Sequence, residues 1–262
     1  MKIIYYIFGI LIIYFIMELL HKKSAHAVDL KKPEDERLEI VFFDNGIGCY
    51  WFVNNENDNN LILCFRGFQS FVNEQLNTRR IEKFFPNYQI IYIDYPGMGI
   101  SKDCIIVDYT MMIEEIYSVY QCVKRQQKWD KIGFVGFHYG SVIQSQIYSL
   151  IQKNNDIMKP KWIIQINGFS SYESIVLFKI PWYIQLFTKN RKIYCSENYK
   201  NINIPLLIFH SKNNDSVPLI ESIKLHLSLR SKSKFILLYG DKNMTLLSKE
   251  NYKIINENLK NL

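Results

Sequence analysis

Six short, nearly unbroken apolar runs, separated by stretches of helical periodicity, constrain this chain more than any other feature. They lie at 61–65 (LILCF), 88–94 (YQIIYID), 131–137 (KIGFVGF), 162–168 (WIIQING), 205–210 (PLLIFH) and 234–240 (KFILLYG). Runs of this kind predict strands of a parallel sheet buried on both faces. Helix-like stretches near 71–84, 108–127, 141–153, 217–229 and 245–260 alternate with them. In the second of these, Met112, Ile116, Val119 and Val123 share a face; in the third, Val142, Ile143, Ile147, Leu150 and Ile151 do. Ahead of the alternation, apolar segments at 38–43 and 49–53 flank Asp44-Asn45-Gly46, a hairpin signal, and the polar run 54–60 reads as a hairpin tip. A hairpin followed by β/α alternation predicts an α/β fold with a mostly parallel, doubly wound sheet. Ligands of such sheets sit at the carboxyl ends of the strands.

The amino terminus has a different character. Residues 3–20 read IIYYIFGILIIYFIMELL, interrupted only by Glu18, and His21, Lys22 and Lys23 follow. Eighteen residues in a helix span roughly 27 Å, close to the thickness of a bilayer core. The run is read as a single-pass transmembrane anchor over 1–21, with a linker at 22–37 and one body at 38–262. The competing reading is a cleaved signal peptide ending at Ala25-His26-Ala27. Lys22, Lys23, Lys31 and Lys32 outnumber the charges on the other side, which places the body in the cytoplasm. Five cysteines with wide spacing and no CxxC fit free thiols in a reducing compartment, and no Cys/His spacing suits a metal. The formal net charge is +7, with thirteen basic and six acidic residues in 189–262. Those cations are scattered among apolar residues rather than packed on one helix or arm, so no nucleic-acid partner is expected. An acidic lipid or protein partner is.

The strand ends carry the chemistry. The run at 131–137 leads into Gly136-Phe137-His138-Tyr139-Gly140 and then a helix. A strand, a Gly-x-residue-x-Gly turn and a helix make a nucleophile elbow, whose central residue sits on strained backbone. In these residues the chain resembles the α/β-hydrolase superfamily. It is closest to the membrane-anchored lipase-, esterase- or acyl-thioesterase-like members, and the resemblance extends over nearly all of 38–262. Asp94-Tyr95-Pro96-Gly97-Met98-Gly99-Ile100-Ser101 matches the family's Asp-x-x-Gly-x-Gly-x-Ser turn. Arg66, Gly67 and Phe68 stand at the oxyanion-loop position. His210 to Pro218 aligns with the loop that holds the family's acid and puts Asn214 in that slot. Gly240-Asp241-Lys242-Asn243 puts Lys242 in the slot of the base. The stretch 170–200, with its apolar 181–187 segment, takes the place of the family's lid.

The resemblance implies an α/β-hydrolase fold with a degenerate triad: His138 for the serine, Asn214 for the acid and Lys242 for the base. A serine triad needs a hydroxyl, an imidazole to take its proton and a carboxylate behind the imidazole. The first expectation is therefore a membrane-anchored pseudoenzyme that binds or interacts without hydrolysis and without a cofactor. The alternative is an ester, thioester or lipid hydrolase with non-standard residues, His138 being a nucleophile in its own right. Arg66, His138 and Lys242 are expected to line one cleft as an anion site. Ser141 is expected to point away from it, and His210 to be structural.

Overall fold

A computed structural model describes residues 37–55, 58–67, 81–101, 103–104, 108–126, 128–156, 158–174, 193–229, 232–239, 248–260 and 262. The anchor at 1–21, the linker at 22–36 and the segment 175–192 of the lid-like stretch lie outside them. Among the described residues no helix is long and apolar enough to cross a membrane.

Eight strands form one sheet in the order β1-β2-β4-β3-β5-β6-β7-β8. They are β1 (Leu38–Phe42), β2 (Gly48–Phe52), β3 (Asn60–Phe65), β4 (Gln89–Ile93), β5 (Lys131–Phe137), β6 (Trp162–Ile166), β7 (Leu206–Ser211) and β8 (Lys234–Leu238). β2 runs antiparallel to both β1 and β4, and every other pairing is parallel. The helices are α1 (Tyr109–Arg125), α2 (Tyr139–Lys153), α3 (Cys195–Asn198), α4 (Leu219–Leu229) and α5 (Lys249–Leu259). Asp108 caps α1 by accepting from the Met111 amide at 2.9 Å, and Ser248 caps α5 through the Asn251 amide. The carboxylate and hydroxyl thus satisfy N–H groups that a helix start leaves open.

Alternation along the strands divides the core in two. Leu61, Leu63 and Phe65 of β3 face the layer that holds α1, α2 and α4, with Ile116, Ile143 and Leu225 packed there. Ile62 and Cys64 face the other layer, with Phe84, Trp162 and Ile255. Central strands buried on both faces explain why the sequence shows them as continuous apolar runs.

Two expectations change. The polar run 54–60 is not a hairpin tip. β2 pairs with β4, and β4 separates it from β3, so the run is a connection that steps across a strand. Its Asn54 side chain donates to the carbonyls of Phe85 and Tyr88, which ties the connection to the start of β4. The end of the helix expected at 71–84 is instead a single 3-10 turn, Ile81–Phe84, and 71–80 lies outside the described residues. Buried Ile81 and Phe84 hold that turn against the sheet.

Candidate functional site at the strand ends

Because β3 to β8 are parallel, Arg66, Asp94, His138, Asn167 and the loop after Ser211 all leave the sheet at one edge. The elbow lies at its centre. His138 has φ 50° and ψ −116°, between the last residue of β5 and the first of α2. An L-residue in this region costs of order 1–3 kcal/mol, which the surrounding structure must supply. It does so with fixed partners. The His138 amide donates to Ile166 O at 3.0 Å, and its carbonyl accepts from the Ser141 amide at 3.1 Å and from Ser141 Oγ at 2.6 Å. Gly140 is required by close approach: a Cβ there would lie 2.2 Å from Phe65 O and 2.4 Å from Arg66 O. At Gly136 an added Cβ would meet Gln144 and the backbone of Ser141 within 3 Å. His138 itself is half-buried, while Tyr139, Gly140 and Ser141 are buried.

Ser141 is unsuited to attack. It is fully buried, its hydroxyl donates to His138 O, and it accepts from the Phe169 amide at 3.2 Å. Tyr139 joins a row of rings, Tyr95–Tyr139–Tyr172–Tyr109, with centroids 5.2–6.2 Å apart. Burial pushes the Tyr109 phenol well above its ordinary pKa. Tyr109 also lines a cleft of about 470 Å³ with Ile113, Leu150, Ile193 and Asn198.

The oxyanion-loop position is used differently from the expectation. Arg66 does not reach into an open cleft. It is 1% exposed, and its Nε lies 2.9 Å from Asp94 Oδ1. Its guanidinium also stands 5.1 Å from the centre of the Tyr95 ring, whose hydroxyl donates to Arg66 O at 2.7 Å. A long cation beside a buried carboxylate is drawn inward because an unpaired buried charge costs far more than the exposed alternative. Burial pushes the Asp94 carboxyl up; the Arg66 charge and the Ile100 amide, which donates to Oδ2 at 3.1 Å, oppose it. Gly99, at φ 53°, would put a Cβ 2.1 Å from Asp94 Oδ2. Ser101 Oγ donates to Asp94 O and accepts from the Gly48 amide, each at 2.8 Å. This turn is therefore a closed clamp between β2, β3 and β4. Gly67 is buried at the end of β3, and Phe68 lies outside the described residues.

Asn214 serves its own loop. Its Oδ1 accepts from the amides of Ser216 and Val217 at 2.9 and 2.7 Å, closing the turn that leads to α4. The carboxamide fits this slot as a local cap. His210 is structural, as expected. Its Nδ1 lies 2.8 Å from Ser222 Oγ and its Nε2 lies 3.2 Å from Val217 O. A carbonyl only accepts, so Nε2 carries the proton. Burial holds this imidazole down, at about 4, with the Val217 bond acting weakly against it. Lys242 and Gly240 lie outside the described residues, so the base slot is not placed.

Asn167 and Ser222 carry no motif and were not foreseen. Asn167, at φ 49° and fully buried, accepts from the Ser211 amide at 2.8 Å, and Ser222 Oγ, whose proton goes to His210 Nδ1, also lies 3.1 Å from Gly168 O. An Asn-Gly pair straight after a strand was the only available signal. Among the described residues no group of three or more His, Cys, Asp or Glu could hold a metal ion, and all five cysteines are free thiols.

Strand order, elbow and Asp94 turn together are those of the α/β-hydrolase fold. No protein-family model matches the sequence, and no curated protein matches it. Solved structures do. The esterase Pf2001 of Pyrococcus furiosus superposes with a TM-score of 0.65 at 14% identity, over 90% of this chain and 95% of that one. A predicted CIB-like hydrolase of Thermoplasma acidophilum gives 0.58 at 17%, over 86% and 99%. Est1E of Butyrivibrio proteoclasticus, solved with ferulic acid bound, gives 0.62 at 15%, over 85% and 96%. At these identities the likeness establishes the fold.

Proposed function

We propose that this chain is an acyl hydrolase that works without the serine triad, on esters or thioesters. The observation that carries the reading is His138. A nucleophilic side chain, half-buried, occupies the strained apex of the elbow, where Gly would carry no strain. The esterases among the similar solved structures support the same reading. The test is turnover of an ester and thioester panel by the purified chain, with a fluorophosphonate probe in parallel. Hydrolysis without serine labelling supports it; no hydrolysis of any acyl compound ends it.

A second reading, the pseudoenzyme first expected from the sequence, is favoured by Ser141, Arg66 and Asn214. The Ser141 hydroxyl, the Arg66 guanidinium and the residue in the acid slot are all committed to structural bonds. In that reading the 470 Å³ cleft beside Tyr109 binds a ligand without turning it over. In either reading we propose a body tethered to a membrane by residues 3–20 and facing the cytoplasm, with scattered cations of 189–262 meeting an acidic surface. Carbonate extraction and protease protection of the full chain test the tether and its orientation.

A further inference from the structure

We propose that His138 is the covalent nucleophile and that its substrates are activated acyl compounds, thioesters and aryl esters rather than alkyl esters. This rests on the acyl-hydrolase reading and names the residue and the substrate class behind it.

A serine hydroxyl attacks only as its proton is removed, which is why it requires a base and a carboxylate to steady that base. A neutral imidazole needs neither. One ring nitrogen carries an in-plane lone pair that attacks directly, and the proton it must finally lose sits on the other nitrogen. Histidine at the apex therefore makes the acid slot and the base slot dispensable in a single step. The acid slot bears this out chemically: Asn214 has no carboxylate to offer, and its amide oxygen is spent on Ser216 and Val217. The substitutions at 138, 214 and 242 are then one change of mechanism rather than three separate losses.

The geometry keeps what both nucleophiles need. His138 stands immediately before the first residue of a fifteen-residue helix, α2. The first N–H groups of a helix and its positive end favour the negative oxygen that develops when a carbonyl is attacked. Gly140 lets that helix start lie against the carbonyls of Phe65 and Arg66, which fixes it relative to β3.

A His138 ring nitrogen adds to the carbonyl carbon of R–CO–SR′. The C–S bond breaks, the thiolate leaves with the bonding pair, and the other ring nitrogen gives up its proton, yielding R′SH and an N-acyl imidazole. Water adds to the acyl carbon, the C–N bond breaks, and the proton returns to the ring, releasing RCOOH. No oxidant, metal or further reactant enters. The substrate class follows from the tetrahedral intermediate. An attached imidazolium is a good leaving group, so it departs before an alkoxide can. A thiolate or phenolate competes with it, and only those acyl donors go forward.

The experiment uses the purified full chain with p-nitrophenyl butyrate, butyryl-coenzyme A and ethyl butyrate. It compares wild type with His138→Gly, His138→Asn and His138→Ser. Gly is chosen because it adopts φ 50°, ψ −116° without strain, and Asn because it keeps a polar side chain with no nucleophilic nitrogen. Circular dichroism checks that each variant has folded. The other four histidines remain in every variant and supply the background rate. The expected result is turnover of the first two substrates and not of ethyl butyrate. The rate falls at least about 100-fold in the Gly and Asn variants, with no recovery in His138→Ser. A burst of p-nitrophenolate precedes the steady state in wild type and is absent from the Gly and Asn variants; an N-acyl imidazole does not survive an acid quench, whereas a serine ester does. Turnover that survives His138→Gly, comparable cleavage of ethyl butyrate, or a butyryl group on a serine overturns the proposal. If a fluorophosphonate labels a serine and stops turnover, the acyl-hydrolase reading stands and the His138 nucleophile falls. If a folded wild-type chain turns over none of the three, both fall.

Discussion

Two turns leave the same edge of the sheet and have opposite characters. The turn after β4 is sealed: Asp94, Arg66 and Ser101 are 1–2% exposed and bonded to one another or to β2. The turn after β5 is equally well anchored through its backbone, yet its apex, His138, is only partly buried on strained φ/ψ. Both match a motif of the fold. Enclosure, not motif, separates them: the side chains of one are buried, and the apex of the other is only partly so. The first set of side chains is expected to matter for stability, the second for chemistry.

The contrast can be broken most forcefully at the clamp. Asp94→Ala leaves the Arg66 guanidinium buried without its carboxylate and is expected to cost about 3–5 kcal/mol in urea unfolding; a loss under about 1 kcal/mol would show that the turn is not a clamp. Acid is the next lever. His210 in the folded chain is held at about 4, below its ordinary 6.5. The unfolded chain therefore binds the extra proton first, and stability is full above about pH 6.5 and falls as pH drops towards 4. A loss of a few kcal/mol is expected over that window, and His210→Gln should flatten it. Gly99→Ala, which sets a methyl group against Asp94 at positive φ, is expected to cost roughly 1–3 kcal/mol. His138→Gly has the opposite sign on stability, a gain of about 1 kcal/mol from released strain, while turnover is lost. Smallest is Asn214→Asp: the carboxylate can accept the same two amides, so stability shifts by less than about 0.5 kcal/mol, and under the proposed His138 chemistry hydrolysis is expected not to rise.

Much of this was legible in the residues. Strands expected at 61–65 and 131–137 appear as β3 and β5, and the stretch 108–127 appears as α1, because buried parallel strands and amphipathic helices write their periods plainly. The elbow and the Asp94 turn were legible for a different reason. Their glycines answer to local backbone contacts that few other residues permit. The fate of Arg66 was not legible. Its partner is 28 positions away on another strand, and only the pairing of β3 with β4 brings the two together. The bonds of Asn214 were not legible either: the acid slot carries a carboxamide, and its oxygen is taken by two amides within three residues. The hairpin tip at 54–60 failed because pattern does not reveal that β4 slips between β2 and β3.

That insertion has a consequence for the chain as it leaves the ribosome. Residues up to 101 complete the β1-β2-β4-β3 half of the sheet, with the apolar β3 as its outer rail, and β5 does not exist until residue 137 has emerged. For that interval the future centre of the sheet is a bare strand edge, the feature most prone to pair with another chain. The strand that finally covers it is the one that carries His138 on its tip. Protecting the nascent chain from aggregation and raising the elbow are therefore a single docking event, and variants that weaken the β3–β5 seam should appear first as insoluble protein, before any change in chemistry can be seen.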